Sequence, residues 1–227
     1  MDALVIIYFL LLFAALCFYF AALHKGAFFV KIVLAYLLLH AVISVVAVYL
    51  VKVEKVHNNL LLFHILVPLE YVLLAALYYD AFQSPLLKKL VAISAPAFII
   101  ACVTMSLFVQ NITTNNSYAS ILESLLILVW TLCFFREVLL LQRVIILYRY
   151  PMFWISVGLL FYYTGSLLVE GPLNYLLERS MQLALRVYQL EYLFKYLLLI
   201  LLITGVQCNA LFRERFSLTS HPDPHGS

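Results

Sequence analysis

The stretch ALVIIYFLLLFAALCFYFAAL, Ala3 to Leu23, contains no charged residue and no break, and its reading decides the fold. A half-buried strand would alternate apolar and polar residues, and a soluble amphipathic helix would carry a polar stripe. This run does neither. About 20 consecutive apolar residues is the length a helix needs to cross the hydrocarbon of a bilayer. Lipid offers the backbone no hydrogen-bond partners, so a spanning segment must be a helix or part of a closed barrel, and barrel strands alternate over about ten residues. The first window is therefore a membrane helix. Asp2 precedes it with no Lys or Arg, whereas a cleaved signal peptide has a basic start and a shorter apolar run, so the helix is expected to be retained.

Further windows of the same kind follow, placing spans at about 3–23, 27–51, 60–79, 90–110, 120–142, 151–170 and 187–207, with a short tail over 210–227. Hydrophobic residues make up 66% of the chain and charged residues 11%, which excludes the core-and-surface composition of a soluble domain. The expectation is an all-α, polytopic transmembrane bundle of seven spans. No room is left for a soluble catalytic or nucleic-acid-binding domain, so the lipid bilayer is the first partner and no nucleic acid is expected. Cys17, Cys102, Cys133 and Cys208 fall singly in different windows without metal-ligand spacing. They read as small apolar packing residues, and no metal or cofactor is expected.

Lys and Arg counts set the expected orientation, because cytoplasmic loops hold the excess. One set of loops carries Lys25, Lys31, Lys88, Lys89, Arg143, Arg149, Arg213 and Arg215, with Arg136 at its border. The other carries Lys52, Lys55, Arg179 and Arg186. The richer set is assigned inside, which puts the N-terminus out and the C-terminus in. Tyr78, Tyr79, Tyr148, Tyr150 and Trp154 then cluster at the inner interface, where amphipathic rings prefer to sit. The uncharged loop NITTNNSYA, Asn111 to Ala119, falls outside and contains the sequon Asn111-Ile112-Thr113, a common tripeptide of little weight. Gly171-Pro172 is expected to break the chain before LNYLLERSMQLALR, which reads as an outer interfacial helix or an extension of the seventh span. The polar end SLTSHPDPHGS reads as disordered.

Ionisable residues inside a membrane are costly, and each is a functional candidate. With about 1.5 Å of rise per residue, Glu70 lies roughly 15 Å below the outer end of its helix, Lys195 roughly 12 Å and His40 roughly 16 Å, a common layer. His64, Glu123, Glu191 and the Tyr162, Tyr163, Thr164, Ser166 cluster lie nearer the outer surface. Arg136 and Glu137 can snorkel to the inner interface. In LLFHILVPLEY, Pro68 has no N–H for the carbonyl of His64, so a kink is expected. His64 and Tyr71 share a face, while Glu70 points about 120° away, so the three cannot aim at one partner helix. Gly158 and Gly165, seven apart with Tyr162 on the same stripe, would let another helix approach closely.

Each candidate also has a purely structural reading. Glu191 and Lys195, four apart with the acid first, form a favourable helical ion pair. Glu70 can simply bond a neighbouring helix, and His40 and His64 can be satisfied buried imidazoles. Lys195 thus has two rival partners, Glu191 on its own helix and Glu70 across the bundle.

Three stretches carry a family resemblance: NNLLLFHILVPLEYVLL (Asn58 to Leu74), NNSYASILESLLILVWTLCFFREVL (Asn115 to Leu139) and YPMFWISVGLLFYYTGSLL (Tyr150 to Leu168). They resemble an uncharacterised family of small bacterial multi-pass membrane proteins. That family has a polar Asn before a helix with His, Pro and Glu, then a Ser-Tyr loop, then a Pro-x-Phe-Trp-Ile-x-x-Gly helix ending in Tyr-x-Gly. The resemblance covers roughly the middle half of the chain and marks Asn59, His64, Pro68, Glu70, Ser117, Tyr118, Pro151, Trp154, Gly158 and Gly165, but not Lys195. It implies a bacterial inner-membrane location and kinship with membrane modules that accompany sensor histidine kinases.

A second likeness is more limited. Lys195 in the last helix with Glu191 before it, and Tyr150-Pro151-Met152-Phe153-Trp154, resemble the retinal site of a microbial rhodopsin. The Tyr-Pro-x-x-Trp stretch opens the sixth helix at the inner surface, however, and the third helix lacks the Arg and following acid such a site uses. A photoreceptor through Lys195 stays a remote alternative. HExxH, GxSxG and the Pro-Gln pair of small sugar carriers are all absent, and no catalytic residue is assigned. The expected function is a non-enzymatic sensor or accessory component with an outward-facing polar pocket built from His40, His64, Glu70, Tyr162, Glu191 and Lys195. Its partners would be a signalling protein or a small ligand from the outer side. The alternative is a small-solute or proton-coupled transporter in which Glu70 titrates.

Overall fold

Each apolar window folds as one helix, because a helix satisfies every backbone N–H and C=O within its own segment. The computed structural model describes residues 3–54, 60–108, 116–140 and 149–219. Its helices are α1 (Ala3–Ala22), α2 (Phe28–Lys52), α3 (Leu61–Ala81), α4 (Pro85–Phe108), α5 (Ser117–Leu140), α6 (Pro151–Arg179) and α7 (Met181–Thr219). All seven are long and apolar enough to cross a membrane, and no strand occurs among the described residues. The sequon at 111–113, Lys55 and Arg143 lie outside the described residues.

Several boundaries differ from the sequence expectation, each for a local reason. Helix α4 starts at Pro85 rather than near 90, where a proline without an N–H costs least. The Glu137 carboxylate accepts from the backbone N–H groups of Gln83 (3.0 Å) and Ser84 (2.6 Å), so it caps this turn rather than only snorkelling. Gly171-Pro172 does not break the chain: α6 runs through both to Arg179. Burial of Leu173 on α6 and Ala184 on α7 outweighs the local cost of the two breakers. The chain turns instead at Ser180, which is extended and whose Oγ accepts from the Leu183 N–H, an N-cap for α7. The segment 173–186 is therefore the end of one long helix and the start of another, not an interfacial helix. Helix α7 also continues to Thr219, so residues 210–219 of the expected tail are helical, while 220–227 lie outside the described residues.

Helices α1, α2, α3, α5, α6 and α7 form a closed ring in which α7 returns to α1, and α4 packs outside on α3 and α5. On α4 only Val91, Phe98 and Cys102 are buried. Outward faces are apolar, as in Leu10, Phe13, Ile100 and Leu168, which is the surface a bilayer covers. The bundle half near the α1–α2, α3–α4 and α5–α6 connections is filled by side chains, among them Tyr19, Tyr78, Phe82, Phe134 and Ile155. Tyrosine hydroxyls there fasten helices to one another: Tyr19 Oη donates to Leu202 O (3.0 Å). Thr131 gives its proton to Ile127 O, so Tyr78 is the donor in the 2.6 Å contact with Thr131 Oγ1.

The tightest seam joins α6 to α7. At Gly158 a Cβ would stand 3.1 Å from Leu198 Cδ1, and at Gly205 one would stand 3.1 Å from Pro151 O. At Gly165 it would overlap the Phe194 ring. Small residues here let the two backbones approach, the usual basis of packing where lipid supplies no hydrophobic drive. Gly165→Ala is expected to destabilise the protein by about 1–3 kcal/mol, the range for overpacking. Gly171→Ala, whose Cβ would meet nothing within 4 Å, should be neutral or stabilising. Thermal midpoints in micelles compare the two, and Phe194→Leu should rescue Gly165→Ala; a Gly165→Ala protein as stable as the parent contradicts this seam.

Candidate functional site

Toward the opposite end, where α2 meets α3, α4 meets α5 and α6 meets α7, side chains do not fill the centre of the ring. A cavity of about 600 Å³ occupies its centre, within the 300–1,000 Å³ typical of small-molecule sites. All six ring helices line it and α4 does not. Val51, Lys52 and Leu60 mark its rim, while His40, Glu70, Tyr162, Tyr163 and Lys195 form the floor. Beneath it lies a narrow extension of about 20 Å³ lined by Leu12, Leu37, Leu198 and Leu199.

Glu70 is the centre of the floor. The residue is buried, at 4% exposure, and the Tyr163 hydroxyl donates to Oε1 at 2.8 Å. His40 Nε2 lies 3.3 Å from Oε2, close enough for an ion pair but without hydrogen-bond alignment. The Tyr36 ring lies against the imidazole with centroids 4.5 Å apart. This trio joins α2, α3 and α6, which explains why helical phase turns Glu70 away from α4.

Lys195 bonds its own helix. Its Nζ stands 2.9 Å from Glu191 Oε1 and 5.6 Å from the Tyr192 ring centroid, a carboxylate and an aromatic face together holding one ammonium. The rival pairing across the bundle is not made, because Glu70 is engaged by His40 and Tyr163.

The structure brings His40, Glu70, Tyr162, Glu191 and Lys195 into one cavity but leaves His64 out of it. His64 Nδ1 lies 3.1 Å from Ser106 Oγ on α4, and Tyr71 donates to Ser94 Oγ on α4 at 2.7 Å. The shared face of His64 and Tyr71 is thus the α4 face. Trp130 Nε1 donates to Tyr71 Oη at 3.1 Å, tying α5 to the same layer. Pro68 lies inside an unbroken α3, and Gly158 and Gly165 lie on the α7 seam. Trp154 Cβ approaches Gly205, ten residues and roughly 15 Å along α7 from Lys195, so the Tyr-Pro-x-x-Trp stretch does not reach the cavity.

Two site residues escape the sequence shortlist. Tyr163, rather than its neighbour Tyr162, holds Glu70; adjacent tyrosines are about 100° apart, and only the α3 position chooses between them. Glu123 on α5 lines the cavity at 3% exposure, and its Oε1 is buried with no hydrogen-bond partner. Its signal is a carboxylate within an apolar run, which depth counting puts nearer the outer surface than the layer of Glu70, Lys195 and His40. No group of three or more metal-ligating side chains occurs among the described residues. No family model, curated protein or solved structure matches the chain.

Glu191→Gln leaves the Lys195 ammonium without its carboxylate. It should cost about 3 kcal/mol, the low end of the range for halving a buried pair, since the Lys195 side chain keeps 21% exposure. Glu191→Gln with Lys195→Met should recover most of the loss. Unfolding midpoints in micelles read both variants, and an unchanged midpoint for the single variant removes the pairing.

Proposed function

We propose that this protein is a non-enzymatic receptor or accessory subunit of a membrane, which takes a small ligand into the cavity and passes a helix shift to a partner protein. The observation that carries this reading is the one-sided cavity. A binding site needs a mouth at one end, whereas alternating access needs polar surface that can be reached from both. Side chains such as Tyr78, Phe82 and Phe134 fill the half opposite the mouth. The ligand would touch α6 and α7 directly, and their glycine seam converts a small displacement into steric conflict at Phe194 and Leu198. We place the mouth outside and the C-terminus inside a bacterial inner membrane, on the Lys and Arg excess of the opposite loops. The resemblance to modules accompanying sensor histidine kinases supports a signalling protein as the partner.

One observation favours a second reading. The Glu70, His40 and Tyr163 cluster joins three helices around one buried carboxylate, the arrangement a proton-coupled carrier uses. Proteoliposomes with a pH gradient and an internal pH dye separate the two when amino acids, sugars or organic amines are added outside. The receptor reading expects no solute-dependent proton entry. Robust entry that Glu70→Gln abolishes would sink it in favour of a carrier.

A further inference from the structure

Charged groups around the cavity are mostly accounted for in pairs. Glu70 has His40 and Tyr163, Glu191 has Lys195, and Glu170 accepts from Ser117 Oγ at 3.2 Å. Glu123 is the exception. The residue is 3% exposed, Oε1 has no hydrogen-bond partner, and the side chain lines the cavity. The hydroxyl of the adjacent Ser124 gives no help, because it donates to Ser120 O at 2.8 Å. A buried acceptor without a donor is costly, and a buried carboxylate more so than a neutral group. The described lining also holds more carboxylates than ammonium groups: Glu70, Glu123, Glu170 and Glu191 against Lys52 at the rim and Lys195.

We propose that the cavity binds an organic ammonium compound, with its N–H groups on Glu123 and its apolar body along the aromatic and aliphatic wall. This rests on the receptor reading above and names its ligand class. The wall suits a cation, since Tyr8, Tyr162, Tyr163 and Tyr188 line it, and aromatic faces attract ammonium groups. The chain already holds one ammonium this way, Lys195 between Glu191 and the Tyr192 ring. An anionic ligand would instead meet the carboxylate surplus, with Lys195 already engaged. A cavity of about 600 Å³ accommodates an arylalkyl amine rather than a bare ion.

The test uses the full chain in phosphatidylcholine nanodiscs, with empty nanodiscs as the partitioning baseline. Calorimetric titration compares 4-phenylbutylamine, 4-phenylbutan-1-ol and 4-phenylbutyrate. The amine should bind saturably and about tenfold or more tighter than the alcohol, the advantage of a charge-assisted hydrogen bond. Glu123→Gln should bring amine and alcohol to within about threefold of each other. Equal affinity in the parent, or an undiminished amine preference in Glu123→Gln, overturns the proposal. Should that variant not fold, the parent protein still decides: a carbodiimide should link the bound amine as an amide to Glu123, located by peptide mass spectrometry. Linkage to another carboxylate refutes the assignment. Binding of the alcohol or the acid with the amine excluded refutes the ammonium class but keeps the receptor reading, whereas no saturable binding by any of the three counts against both.

Discussion

Hydrocarbon offers a charged side chain nothing to bond, and the arrangement of this bundle follows from that constraint. Outward faces are apolar, and intramembrane carboxylates turn inward, where Glu70, Glu123 and Glu191 are all buried. Once inside, each needs a donor. Tyr163 and His40 meet Glu70 from other helices, while Lys195 meets Glu191 from one turn along the same helix. A ring with a polar cavity in one half is the consequence, because these groups need space and partners that close apolar packing would deny.

The other half of the ring obeys the opposite rule. Aromatic side chains fill it, and two tyrosine hydroxyls fasten helices to one another, Tyr19 to Leu202 and Tyr78 to Thr131. The two halves are joined by the α6–α7 seam, where glycine removes the side chains that would hold the helices apart. Gly165 lies level with the cavity, and Gly205 lies beside Pro151 at the far end of the same seam. A ligand pressing on the cavity wall therefore acts on a contact with little slack.

Helix α4 has a different part. It contributes nothing to the cavity lining, yet Ser94 and Ser106 take the polar atoms of Tyr71 and His64 on the outer face of α3. Helix α3 thus carries polar groups on two faces, one turned to the cavity and one to α4. Pro68 lies between these positions, where the carbonyl of His64 lacks its usual intrahelical donor.

Apolar run length determined the number of helices and their character, since about 20 uncharged residues have one stable form in lipid. Helical phase determined that Glu70 and His64 serve different neighbours, and depth counting put Glu70, Lys195 and His40 in one layer. Helix order was not legible, because hydropathy is the same whichever helix is next door; only packing put α4 outside the ring. For the same reason the choice of Glu191 for Lys195, of Tyr163 for Glu70, and the isolation of Glu123 belong to tertiary structure. The breakers Gly171 and Pro172 make the same point from the backbone, where burial of Leu173 carried the helix past them. Sequence fixes what a residue cannot tolerate in lipid, and which partner relieves it is decided by the neighbours that folding brings within reach.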